Sequence, residues 1–60
     1  MNKDEFREAG QKLFGYGWQT RIAERIDVDG STVRRWASGA VPVPGAVAAW
    51  LKCELSKVKK

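Results

Sequence analysis

An all-α fold, a compact bundle of four helices or of five if a short extra turn forms, follows from three features of this chain. Apolar residues recur every three or four positions in four separate stretches, the spacing that buries one helix face. Glycine- and proline-bearing segments or short acidic turns separate those stretches. Residues suited to capping helices stand at several of the starts and stops.

The first helix spans roughly 4–14. Asn2 and Glu5 have the spacing of a capping box, with Asp4 as a competing cap. Phe6, Ala9, Gly10 and Leu13 then recur at helical spacing. Gly10 costs this helix about 1 kcal/mol relative to alanine, which close packing against a neighbouring helix would explain. Gly15-Tyr16-Gly17 stops it, because glycine takes the left-handed angles that helix ends need. The second helix runs from Trp18 or Gln19 to Ile26, with Trp18, Ile22 and Ile26 as its stripe and Ala23 beside it. Asp27-Val28-Asp29 is a turn, and Asp29 is the expected N-cap of a third helix over about 30–37 that ends at Ser38-Gly39. Val41 to Pro44 is extended. Pro44 suits the first turn of a fourth helix, on which Val47, Ala48, Leu51 and Leu55 form the apolar stripe. Residues 1–55 make one domain, and 56–60 read as a frayed, flexible basic tail.

Sixty residues hold one small core and no deep enzyme cleft. The net charge of +4 suits an anionic partner. There is no histidine and only one cysteine, so neither a zinc site nor an internal disulfide is expected. Cys53 reads as a half-buried small hydrophobe in a reducing cytoplasm. With no catalytic constellation, the chain is not expected to be an enzyme, and no cofactor or small-molecule substrate is implied. No signal peptide or membrane span is legible, so a cytoplasmic location is expected.

The informative stretch is 19–38. On a helical wheel, Val33, Trp36 and Ala37 share the core side of the third helix. Ser31 and Arg35 fall opposite them, bordered by Thr32 and Arg34. Arginine can bond guanine O6 and N7 with two parallel donors, while serine and threonine serve bases or phosphates. Gly30, having no side chain, lets the start of that helix approach a groove closely. The amides that open the second helix, together with Gln19, can bind a phosphate oxygen.

These residues resemble the helix-turn-helix of the lambda-repressor-like and Cro-like regulators. The resemblance is carried by Gln19, Ala23, Val28, Val33 and Trp36 at matching spacings, and by the run from Arg34 to Gly39. Tyr16 to Gln19 and Pro42 to Pro44 look like a subset found in short phage- or prophage-related bacterial proteins. About residues 5–55 are covered. The resemblance implies a lambda-repressor-like bundle and sequence-specific binding of double-stranded DNA, as a repressor-like and dimeric transcriptional regulator close to the nucleoid of a bacterial host. It implies Gln19 as phosphate clamp and Ala23 as the small residue at the helix crossing. Val28, Val33 and Trp36 would lock the two helices together, and Gly30, Ser31, Arg34 and Arg35 would face bases or adjacent phosphates, with Thr32 beside them on phosphate. The family usually has glycine where this chain has Asp27, and often basic residues where this chain has Ala40-Val41, so phosphate contacts there would need backbone amides.

Plainer readings stand beside these. Trp18 and Trp36 fit the core, and Trp50 either caps the core or forms a dimer contact. Arg21 and Arg25 either meet phosphate or belong to a solvated face beside Glu24, with intrahelical pairing. The C-terminal lysines give at most non-specific contact. A different class of function is a protein-interaction adaptor that keeps the fold without binding DNA; Asp27, Asp29 and the neutral loop favour it.

Overall fold

The computed structural model describes residues 1–58. Four helices run in chain order: α1 (Lys3–Phe14), α2 (Trp18–Ile26), α3 (Gly30–Ser38) and α4 (Gly45–Val58). They form a small all-α bundle without a fifth helix among the described residues. Its radius of gyration of 10.4 Å equals the roughly 10 Å expected of a compact domain this long.

α1 is the hub: it packs on each of the other three helices, α2 and α3 pack on each other, and α4 packs on α1. The apolar spacing of α1 explains its position. Phe6 and Ala9 are buried, and Phe6 meets Trp18 of α2 and Trp36 of α3 edge-on, at ring-centroid distances of 5.4 and 5.9 Å. Edge-to-face geometry is the arrangement that aromatic quadrupoles favour. Gly10 lies against the Trp18 indole so closely that a Cβ there would fall 2.7 Å from Cδ2. The missing side chain is what lets α2 cross α1.

The α1 N-terminus is closed by the expected capping box on Asn2: its Oδ1 accepts the Glu5 N–H at 2.8 Å, and Glu5 Oε1 accepts the Asn2 N–H at 3.0 Å. Asp4 is therefore not the cap and pairs instead with Arg7 at 2.8 Å. α2 buries Trp18, Ile22 and Ala23, with Ile26 half-buried at its end. Asp27 stands at φ 57°, ψ 51°, the left-handed conformation the turn requires. Its amide and that of Val28 both return to the Ala23 carbonyl. Val28 is half-buried against the core, and α3 adds Val33, Trp36 and Ala37.

Several expectations need correction. Asp29 occupies the N-cap position of α3 with extended backbone, but its side chain makes no capping hydrogen bond; the Asp29 carbonyl accepts from Thr32 and Val33. Pro44 stands one residue before α4, where its carbonyl accepts from Ala48 at 3.0 Å, rather than inside the first turn. Cys53 is exposed, because it faces away from the side of α4 that carries Ala48 and Leu51. Ser56, Lys57 and Val58 are helical, with Lys57 bonded to Glu54 at 3.3 Å, so the boundary drawn at residue 55 falls inside α4. The last two residues of the expected tail lie outside the described residues. Among the described residues, no helix is long and apolar enough to cross a membrane.

Candidate nucleic-acid interface

The solvent side of α3 is what its helical period dictates. Burying Val33, Trp36 and Ala37 turns Arg34 and Arg35 outward, whereas Ser31, expected opposite the core, is half-buried, as is Thr32 at the border. An open depression lies beside this side, bordered by Arg7 of α1, Gln19 of α2, and Ser31, Arg34, Arg35 and Ser38 of α3. Four of the six expected contact residues thus gather at one place. Gly30 and Thr32 do not border it. At Gly30 a Cβ would meet open space, so nothing within the chain requires glycine there.

The electrostatics follow from pairing. Neither Arg34 nor Arg35 has an ion-pair partner among the described residues. Two guanidiniums one residue apart therefore face solvent with their charge uncompensated, and each retains its planar set of donors. The Gln19 and Ser31 side chains also make no hydrogen bond among the described residues. Ser38 is committed elsewhere: its Oγ donates to the Arg35 carbonyl at 3.1 Å and accepts from the Ala40 amide at 3.4 Å.

Two of the three helices that border the depression begin without a side-chain cap, at Gly17 for α2 and at Asp29 for α3. Helix first-turn amides have no partner within the helix and carry the positive end of its dipole. By contrast, the loop after α3 has no free amide to offer at Ala40 or Val41. The Ala40 N–H goes to Ser38, and the Val41 N–H goes to the Arg35 carbonyl at 3.3 Å. The two amides that phosphate contacts at this loop would need are therefore already bonded within the chain.

Arg21 and Arg25 do not pair with Glu24 among the described residues. Arg25 lies over the Phe14 ring, 5.6 Å from its centroid, which accounts for it structurally. Asp27 and Asp29 do not border the depression. Trp50 is half-buried, packed against the core.

No family model, curated protein or solved structure matches this chain. Among the described residues, no group of three or more histidine, cysteine or acidic side chains could hold a metal ion. The arrangement is thus a cationic, hydrogen-bonding surface built on rigid helices. Sequence reasoning missed Arg7, whose place beside α3 depends on how α1 packs. A single arginine followed by an acid on an otherwise balanced helix carries no local signal.

Proposed function

We propose that this protein binds double-stranded DNA sequence-specifically, as a small regulator similar to the lambda-repressor-like and Cro-like families. The observation that carries this reading is the pair of unpaired arginines, Arg34 and Arg35, sharing one open depression with Ser31 and Gln19. In this reading α3 enters the major groove. Arg35 and Ser31 read base edges, and Gln19, Thr32 and Arg34 hold phosphates. The uncapped start of α2 supplies amides for another phosphate oxygen.

A single module of this size covers roughly 600–1,000 Å² of DNA interface. That small area favours a homodimer on a palindrome with half-sites about 34 Å apart. α4, with Trp50, is the proposed dimer face. A phage- or prophage-type repressor acting in the bacterial cytoplasm is the finer form of the same reading.

The test is fluorescence anisotropy with a random-sequence DNA pool over a salt series, followed by sequencing of the bound fraction. Salt-dependent binding with an enriched motif is expected. A double variant, Arg34→Ala with Arg35→Ala, should keep its stability within about 0.5 kcal/mol, because both side chains are exposed. It should lose binding and enrichment together. Absence of binding by folded wild-type protein at low salt would overturn the reading.

A second reading, an adaptor that binds another protein, is favoured by Tyr16. Its side chain is fully exposed, at 105% of its reference area, on the turn between α1 and α2. Under that reading a partner complex survives loss of Arg34 and Arg35.

A further inference from the structure

We propose that Arg7 completes a seat for a DNA backbone phosphate between α1 and α3, and that Asp4 holds the Arg7 guanidinium at its edge until the phosphate arrives. This rests on the DNA-binding reading and extends it to a helix outside the α2–α3 pair. Three arginines border one depression from two helices: Arg7 from the first turns of α1, and Arg34 and Arg35 from α3. Its remaining free donors, Gln19 and Ser31, are neutral, which suits a phosphate oxygen as acceptor. The depression is open rather than enclosed, so it suits an extended polyanion better than a small ligand held on all sides.

Two further observations single out Arg7. The loop after α3 has already committed its Ala40 and Val41 amides, so it adds no free donor beside α3. Arg7 is the α1 residue that borders the depression. It also stands at a boundary: on its other side it borders a surface with Asp4, Glu5 and Glu8. Its ion pair with Asp4, at 2.8 Å, is exposed, with side-chain accessibilities of 45% and 74%. An exposed i,i+3 pair is weak, so a phosphate at the seat can compete for the guanidinium. The acidic strip beyond Arg7 then marks where the DNA footprint ends on α1.

The experiment measures anisotropy of wild type and variants on the duplex recovered from the random pool, over a salt series. Arg7→Gln is expected to weaken binding and reduce the magnitude of the slope of log K against log [salt] by about 0.9, the value of one phosphate contact. The enriched motif should stay the same, because a phosphate contact carries no sequence information. Arg7→Lys should restore the slope. Lys12→Gln removes the same charge from α1 but on the surface shared with Lys52 and Leu55, so its slope should match wild type. Asp4→Asn should tighten binding, and by less in the Arg7→Gln background. Circular dichroism checks that each variant folds. An unchanged slope in Arg7→Gln, or an equal loss in Lys12→Gln, overturns the phosphate seat while leaving the DNA reading intact. Wild-type protein that binds no duplex at low salt overturns both.

Discussion

Asp27 and Gly10 show how single positions determine whether these helices can meet. Asp27 occupies left-handed backbone at φ 57°. Aspartate tolerates that region better than most residues, because its short polar side chain can bond locally. A β-branched residue cannot. Asp27→Val is expected to lower stability by about 1–2 kcal/mol, read as the denaturant midpoint, whereas Asp27→Gly should be at least as stable as wild type. Gly10 is constrained differently, by the Trp18 ring that occupies the space a Cβ needs. That ring is held by Phe6 and cannot simply retreat. Alanine would gain helix propensity of up to about 1 kcal/mol but overpack the crossing at a typical cost of about 1–3 kcal/mol. Gly10→Ala should therefore melt at a lower temperature than wild type; an equal or higher melting temperature would show that the crossing relaxes freely.

At the scale of elements, the four helices are not equivalent. α2 and α3 pack on each other and on α1, so each is held from two sides. α4 packs on α1, and Leu51 is its one large side chain with no exposure. Leu51→Ala should cost about 2–5 kcal/mol, comparable with the roughly 3–5 kcal/mol that a core this small supplies. The expected result is a protein largely unfolded at 37 °C, measured by circular dichroism. If α2 and α3 retained native hydrogen-exchange protection in that variant, α4 would be an appendage rather than part of the cooperative unit.

The described residues measure 32 × 19 × 17 Å, about the length of one turn of duplex along the longest axis. Under the proposed DNA-binding reading, two copies are needed to read two half-sites, and the proposed contact is α4 with Trp50. Trp50 is half-buried within its own chain, so it can contribute both to the core and to a partner. Trp50→Ala should shift sedimentation at high protein concentration toward monomer and weaken binding to a palindrome more than to a single half-site. A folded Trp50→Ala protein with unchanged sedimentation would move the dimer contact elsewhere.

The helices, their caps at Asn2 and Gly39, the turn from Asp27 to Asp29 and the outward place of Arg34 and Arg35 on α3 were legible in the sequence. Each depends on interactions within a few residues, and a helix's own period decides which side chains share a face. Local rules failed where they met competing local options. Asp29 had the right residue type for a cap, yet only its backbone serves α3, and Pro44 could stand on either side of a helix boundary. Cys53 and Trp50 depended on which side of α4 meets α1, and a weakly amphipathic helix leaves that open. The depression itself could not be read in advance. Arg7 is separated by 27 positions from Arg34 in the chain, and only the packing of α1 against α3, through Phe6 and Trp36, brings the two arginines to one surface. Sequence periodicity determined the composition of each helix face; which faces lie side by side was decided by the core, because side-chain shape sets how helices cross.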